Sequence, residues 1–273
     1  HPYQSFTPVL DFIRASSLDP KVVAIKQTVY RTGADSELMQ VLVDAARAGK
    51  EVTVVVELMA RFDEETNLNW AARLEEVGAH VIYGVVAHKT HAKMALIVRR
   101  ETGPDGSVLK RYAHLGTGNY HSATTRQYTD FGLLTANEDI CRDVNDVFKQ
   151  LTGLGRSSKL KHLWQAPFTL HKRFIEAIRN EARIAAEGRP ARIIAKMNAL
   201  LEPTIIEALR RRPRSPDYHY VVTCTTRARR PGEIDGVSYR FVDRATFLEL
   251  RDAGELLEAH RVPAGPHARD LRL

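Results

Sequence analysis

The amino-acid sequence predicts an α/β protein in which helices flank a sheet of several strands. Between residues 22 and 134, short β-rich runs alternate with helical patterns, which indicates βαβ units in a largely parallel sheet. The chain has 273 residues, of which 44% are hydrophobic, and this is enough to bury a substantial core. We therefore expect one large domain or two smaller ones.

Six runs have the composition of strands. They are Val22 to Tyr30, Val52 to Leu58, His80 to Val85, Lys93 to Val98, Tyr112 to Leu115 and Phe131 to Leu134. Helical patterns lie between the first three runs. Ser36 is placed to cap the first helix, which ends at Gly49. The second helix carries Trp70 and Leu74 on its apolar stripe and ends at Gly78.

Two more helices are predicted after the strands, at residues 137–151 and 170–186. The Gly-Arg-Pro sequence at 188–190 closes the second of them before a strand at residues 192–196. After Leu209 the composition changes to an arginine-rich and β-rich region. We therefore place a domain boundary there.

Charge and cysteine content narrow the range of partners and environments. The net charge of +7 favours polyanionic partners such as nucleotides, nucleic acid or polyphosphate. Cys141 and Cys224 fit no disulfide or zinc pattern, so the sequence favours a reducing cytosol. No apolar run approaches the roughly 20 residues that span a bilayer. Because the first residue is His1 rather than Met, we expect the chain to start inside a longer protein.

The most informative local pattern is the alternation of Lys89, His91 and Lys93 in the segment that leads into the fourth strand. Alternate residues of an extended segment point to one face. Two ammonium groups would hold a polyanion and disfavour protonation of the ring between them, which keeps His91 neutral and nucleophilic. The pattern predicts phosphate chemistry at His91, and the alternative is a solvated strand edge.

Other candidate phosphate ligands follow strand ends. Arg31 and Arg61 come after the carboxyl ends of the first two strands, where open α/β sheets bind their ligands. One guanidinium group can bind two phosphate oxygens at once. The turn from Gly116 to Asn119 could bring backbone amides close to a phosphate, with Asn119 as a further donor. The alternatives are solvated arginines and a simple turn.

Several motifs follow one another along the first part of the chain. They are AIKQTVYR at 24–31, VELMARFDEE at 56–65, KTHAK at 89–93, YAHLGTGNY at 112–120, YTDFGLLTA at 128–136, APFT at 166–169 and RIIAKMN at 192–198. Together they closely resemble the catalytic half of bacterial polyphosphate kinase, the type with a phospholipase-D-like fold. The resemblance covers about residues 1–209.

This resemblance implies a phospholipase-D-like mixed sheet flanked by helices, with a first catalytic domain at residues 1–157 and the truncated start of a second at 158–209. It implies a kinase that moves the γ-phosphoryl group of ATP reversibly onto the end of a polyphosphate chain, through a phosphohistidine and with Mg²⁺. ATP, ADP and polyphosphate are the expected partners. Self-association and a cytoplasmic location, free or at the inner membrane face, are also expected.

The resemblance also assigns roles to individual residues. His91 matches the phosphorylated histidine and Lys93 the lysine that neutralises charge on the transferring group. Arg31 and Arg61 match magnesium-associated positions. Arginine has no lone pair to offer a metal, so we expect these two to contact phosphate oxygens near the ion. Tyr128 matches a position that contacts ATP, and we expect Asn119 to do the same.

The chain departs from the family because the second half's own active-site histidine and arginine have no match in it. That departure leaves turnover in question. The alternative function is a non-catalytic fragment that binds nucleotide or polyphosphate through Arg31, Arg61 and the basic segment after Arg210.

From about residue 211 the sequence resembles the GMP-binding segment of guanylate kinase, through YVVTCTTRARRPGEIDGVSY at 220–239 and AGELLE at 253–258. The resemblance places a guanylate-kinase-like segment at 210–262, followed by an unassigned tail at 263–273. The matching GMP-contacting positions are Thr223, Arg227, Arg230, Tyr239 and Glu258. No Walker-type loop precedes the segment, so we expect a GMP-binding remnant without kinase activity, joined by a fusion near Leu209.

Overall fold

The computed structural model describes most of the amino-terminal two thirds of the chain and shorter stretches beyond it. The described residues are 4–31, 33–57, 64–84, 90–103, 106–126, 128–153, 159–194, 222, 224–229, 231–237, 239–253, 255, 260–261 and 271–272. The chain forms two compact units, His1–Leu163 and Trp164–Leu273.

The first unit is built on a six-stranded mixed sheet with the strand order β3-β2-β1-β4-β5-β6. Its strands are β1 (Val22–Val29), β2 (Glu51–Val56), β3 (His80–Tyr83), β4 (Lys93–Gly103), β5 (Gly106–Gly116) and β6 (Gly132–Thr135). Its helices are α1 (Thr7–Leu18), α2 (Glu37–Arg47), α3 (Glu64–Glu76), α4 (Ser122–Thr125) and α5 (Glu138–Leu151). The mixed sheet flanked by helices is confirmed.

Only one half of the sheet is parallel. Strands β1, β2 and β3 run parallel, with α2 and α3 as crossovers, whereas β4, β5 and β6 each pair antiparallel with their neighbours. The prediction of a largely parallel sheet is therefore wrong for the second half. Sequence analysis placed strands within β4 and β5 but missed the far end of their hairpin, because the first five residues of β5 are exposed and show no apolar alternation.

Local sequence determines the boundaries of α2 as predicted. The Ser36 side chain caps the helix by accepting a hydrogen bond from Met39 N, and Gly49 follows its end with φ +83°. Its apolar face, which includes Leu38 and Leu42, is buried in a core cluster shared with the sheet and neighbouring helices. Helix α1, which sequence analysis did not predict, contributes Ile13 to the same core.

The core lies on both faces of the sheet. Helices α1, α2 and α3 cover one face, where Ile25 and Leu74 are fully buried. Helix α5 covers the other face and places Phe148 against Leu96 in a second cluster. Burial on both faces keeps the strand ends rigid, because close-packed side chains leave little room for a strand to shift.

The second unit contains helix α6 (Leu170–Ala186), helix α7 (Arg244–Asp252) and a small sheet with the order β8-β7-β10-β9. Its strands are β7 (Cys224–Thr225), β8 (Arg240–Phe241), β9 (His260–Arg261) and β10 (Leu271–Arg272). A strand was predicted at 192–196, but its described residues, 192–194, do not form one. Arg192 N donates to Glu181 Oε2 rather than to a neighbouring strand. Within the described residues, no helix is long and apolar enough to cross a bilayer.

Candidate functional site

Strand direction brings the predicted site residues to one end of the sheet, called here the site end. Parallel strands β1, β2 and β3 finish there, and the antiparallel pairing makes β4 begin there. Lys93 at the start of β4 pairs with Gly116 at the end of β5, which pairs in turn with Gly132 at the start of β6. Residues that follow β1 and β5 and residues that precede β4 and β6 therefore share one end.

The ring of Tyr30 is the meeting point of three predicted site residues. The His91 ring stands edge-on to it with centroids 5.1 Å apart. The Lys93 Nζ lies 4.8 Å from the Tyr30 ring centroid, and the Arg31 Cζ lies 6.0 Å from it. Both cations are within the range in which an aromatic face attracts them. Sequence analysis gave Tyr30 no role, although its position directly before Arg31 at a strand end was a usable signal.

The backbone around His91 explains how the imidazole is presented. His91 is exposed and precedes β4, which begins at Lys93. Lys93 is only 6% exposed, and its Nζ donates to His91 O at 2.6 Å. The expected alternation along a strand therefore does not extend to His91. The Lys93 ammonium instead holds the backbone of His91 through this hydrogen bond. Lys89 lies outside the described residues.

A second anchor of the same loop comes from Glu57, immediately after β2. Its Oε2 accepts a hydrogen bond from Thr90 N at 2.6 Å, although the side chain is only 3% exposed. Asn67 on α3 donates through Nδ2 to the carbonyls of Tyr30 and Glu57, each at 3.1 Å. Sequence analysis missed both residues, because an acid and an amide in these positions have no signature until the loops meet.

The loop after β1 also packs against the loop after β5. Gly33 has φ +78°, and a Cβ at this position would lie 2.6 Å from His121 Nε2. Trp70 Nε1 donates to Gly33 O at 3.1 Å and so fixes the loop from the side of α3. The absence of a side chain at Gly33 allows the close approach that keeps Arg31 near the turn after β5.

The turn from Gly116 to Asn119 is closed against the segment before β6. Thr117 N donates to Phe131 O at 3.0 Å, and Thr117 Oγ1 donates to Asp130 Oδ1 at 2.9 Å. A Cβ at Gly118 would lie 2.2 Å from Asp130 Oδ2, so a larger residue there would displace the Asp130 side chain. The Thr117 amide, one of those expected to approach a phosphate, is therefore already bonded. Asn119 Oδ1 is buried and has no hydrogen-bond partner among the described residues.

Of two further predicted site residues, the structure describes Tyr128 but not Arg61. Tyr128 lies in the segment before β6 at the site end, with 56% of its surface exposed, which makes it accessible to a ligand. Arg61 lies outside the described residues, so its place beside Arg31 stays a prediction. The described residues at the site end thus include His91, Lys93, Arg31, Asn119 and Tyr128.

The described residues offer no ready metal site. Among them, no three His, Cys, Asp or Glu side chains could share a metal ion. Arg31 cannot ligate magnesium, since a guanidinium has no lone pair to donate.

In the second unit, Arg227 and Tyr239 are brought together, whereas Thr223, Arg230 and Glu258 lie outside the described residues. The Arg227 guanidinium forms a buried ion pair with Glu233 and lies 4.9 Å from the Tyr239 ring centroid. Hydrogen bonding to Glu233 raises the pKa of Arg227. The guanidinium expected to hold a GMP phosphate is thus bonded inside the unit. GMP binding stays a prediction.

Comparison with known families gives three matches along the chain. The family described as polyphosphate kinase C-terminal domain 1 matches residues 1–157. Polyphosphate kinase C-terminal domain 2 matches residues 163–214, and guanylate kinase matches residues 202–264.

Individual relatives agree with the first two matches. A polyphosphate kinase of Paraburkholderia phytofirmans is 66% identical over 209 residues, which is 77% of this chain and 30% of that protein. One of Burkholderia multivorans is 56% identical over 262 residues, covering 96% of this chain and 37% of that protein. The chain thus spans about a third of the length of these relatives.

A solved structure of the polyphosphate kinase from Porphyromonas gingivalis is also similar. It has a TM-score of 0.60 and 34% sequence identity, and the alignment covers 68% of this chain and 31% of that one.

Proposed function

Because this chain belongs to the polyphosphate kinase family, we propose that His91 accepts the γ-phosphoryl group of ATP and passes it to the end of a polyphosphate chain. One observation carries the proposal: an exposed imidazole and two cationic side chains, Lys93 and Arg31, surround the Tyr30 ring at the site end. A nucleophile beside fixed positive charge is the arrangement that phosphoryl transfer requires.

The proposed first step is an in-line displacement. A ring nitrogen of neutral His91 attacks the γ-phosphorus, the P–N bond forms, and the bond from phosphorus to the bridging oxygen breaks with release of ADP. In the second step a terminal oxygen of polyphosphate attacks the same phosphorus and the P–N bond breaks. Arg31 contacts non-bridging oxygens, where a planar guanidinium can bind two at once.

Lys93 has two parts in the proposal. Its ammonium adds positive charge beneath the site, and its hydrogen bond to His91 O holds the backbone from which the imidazole projects. Magnesium accompanies ATP as its counter-ion, bound by phosphate oxygens and water. Asn119 and exposed Tyr128 are the proposed ATP contacts on the other side of the site end.

The test is transfer of label from γ-labelled ATP in the presence of magnesium. We expect acid-labile, base-stable label on the wild-type chain and none on His91→Ala. His80→Ala is the matched control, since His80 is an exposed histidine at the amino end of β3, away from the site end. Label that is absent from the wild type, or that survives His91→Ala, contradicts the proposal.

A further inference from the structure

Three consecutive residues around His91 are held through their backbone by side chains from other positions. Glu57 accepts from Thr90 N, Lys93 donates to His91 O, and Thr28 Oγ1 donates to Ala92 O at 2.7 Å. The exposed imidazole therefore projects from an anchored main chain. Such anchoring limits the motion of the residue that carries the proposed nucleophile.

Among these anchors, Glu57 is the one whose residue type is hardest to explain by packing alone. Its backbone N donates to Val29 O at 2.9 Å, so the parallel ladder of β1 and β2 fixes where the side chain begins. Burying a carboxylate is costly unless hydrogen bonds compensate for the lost water. A bond from a backbone amide to a carboxylate is charge-assisted, and such bonds are short, as is the 2.6 Å separation from Thr90 N.

Asn67 connects this anchor to the loop that carries Arg31. It is fully buried, and its amide group donates to Tyr30 O, one residue before Arg31, and to Glu57 O. An Asn amide nitrogen has two hydrogens, so both bonds can form together. The segment that contains Thr90 and His91 is therefore connected through Glu57 and Asn67 to the end of β1, which precedes Arg31.

We propose that Glu57 is a positioning residue for phosphoryl transfer: its buried carboxylate binds Thr90 N and so fixes the backbone of His91 relative to Arg31. This inference rests on the proposed function of His91. Glu57 acts through the backbone of its neighbours and needs no contact with ATP. Its loss should therefore slow the chemical step more than it weakens nucleotide binding.

The experiment compares Glu57→Ala and Glu57→Gln with Glu51→Ala. Glu51 is the matched control, because it is an exposed glutamate at the opposite end of the same strand. Two quantities are measured: the labelling rate of His91 at saturating ATP, and hydrogen exchange of the Thr90 amide by NMR. Leu96 in the core of β4 serves as the amide that reports on the fold.

For Glu57→Ala we expect labelling slowed on the order of 10- to 100-fold, as for other small misplacements of a reacting group. The ATP concentration for half-maximal rate should change less than about twofold. Glu57→Gln retains a carbonyl acceptor and should recover part of the rate. Thr90 exchange should be faster in both variants, while Leu96 exchange and all properties of Glu51→Ala match the wild type.

The possible results distinguish a failure of this inference from a failure of the proposed function. Wild-type labelling rates in both Glu57 variants overturn the inference and leave the function standing. A fall only in the fraction of labelled chains, with an unchanged rate, indicates loss of folded protein and also overturns it. If the wild type does not label, the proposed function fails, and Thr90 exchange alone decides whether Glu57 holds the loop. If Glu57→Ala does not fold, Glu57→Gln must show both slower labelling and faster Thr90 exchange.

Discussion

Tyr30 arranges the site end by providing a neutral surface for charged neighbours. Lys93 and Arg31 both approach its ring, and His91 stands edge-on to it. A carboxylate in this place would also attract the cations, but it would neutralise the positive charge that a phosphate needs. An aromatic ring orients cations through its quadrupole and carries no net charge. The ring thus holds the basic residues close together without cancelling their charge.

His114 is a second histidine, and its environment decides its protonation state. It is 4% exposed, its Nδ1 is hydrogen-bonded to Tyr120 Oη at 2.7 Å, and Nε2 has no hydrogen-bond partner among the described residues. Its ring fills the space that side chains at Gly116 and Gly132 would need. Burial lowers the pKa of His114 to about 4, so the folded protein holds it neutral at neutral pH.

This burial predicts a pH dependence of stability. Between its ordinary pKa of 6.5 and about 4, the unfolded chain binds a proton at His114 that the folded chain does not, so stability falls as pH falls. The loss should amount to roughly 3 kcal/mol over this interval. We expect His114→Gln to lack this component, so that the gap between wild type and variant narrows by that amount from pH 7 to pH 4.

Urea denaturation at several pH values measures the effect. His80→Gln is the control for replacing a histidine, since His80 is exposed at the start of β3 in the same sheet. Parallel curves for wild type and His114→Gln from pH 7 to pH 4 would show that His114 is accessible to protons in the folded state.

At the scale of elements, the Asp143 carboxylate on α5 binds the last residues of the first unit, 161–163. Asp143 is buried on this helix and accepts hydrogen bonds from the backbone amides of Lys161, His162 and Leu163. Burial alone would raise the pKa of Asp143, but the three amides outweigh it and hold the pKa below its ordinary value. Leu160 packs into the same cluster as Phe148.

We predict that Asp143→Asn destabilises the first unit by about 2 kcal/mol or more, because an amide side chain cannot accept from all three N–H groups. Urea denaturation at pH 7 gives the value. Asp146→Asn on the same helix should cost less than about 0.5 kcal/mol, since Asp146 forms only a surface pair with Lys149 in the described contacts.

The pH response provides a further check. The contribution of Asp143 is present above its unfolded pKa of 3.8 and is lost as pH falls through the lower folded value. The difference between wild type and Asp143→Asn should therefore stay constant down to about pH 4. A difference that already disappears near pH 6 would contradict the assignment.

At the scale of the whole molecule, the net charge of +7 is consistent with the proposed binding of polyphosphate, with or without turnover. If release of condensed cations drives binding, the affinity should fall linearly with salt on logarithmic axes. We predict that Arg31→Gln lowers the slope of this line by about one, as expected when one phosphate contact is lost. Fluorescence anisotropy of labelled polyphosphate at several salt concentrations measures it.

Arg47→Gln is the control, because Arg47 is an exposed residue at the end of α2 whose described partner is Asp44. This variant should keep the wild-type slope. A wild-type affinity that does not respond to salt would count against both the catalytic proposal and its non-catalytic alternative.

Local patterns predicted the elements well where a single segment contains its own signal. Ser36 and Gly49 bound α2 because capping and left-handed backbone are properties of a few adjacent residues. The far end of the β4–β5 hairpin was missed because its exposed residues are stabilised by pairing between the two strands, which no local alternation encodes. Residues 192–194 show the opposite error, since β-rich composition does not supply a partner strand.

By itself, the sequence determined the α/β composition of the first unit, the strand ends at which Arg31 and His91 lie, and the family to which the chain belongs. The tertiary structure decided which of these residues meet. Antiparallel pairing of β4 with β1 brings His91 beside Tyr30, and the carboxylate of Glu57 reaches Thr90 N only because β2 ends next to that loop. Local patterns reflect adjacent residues, whereas these contacts join positions 33 to 61 residues apart, whose proximity depends on strand order and direction.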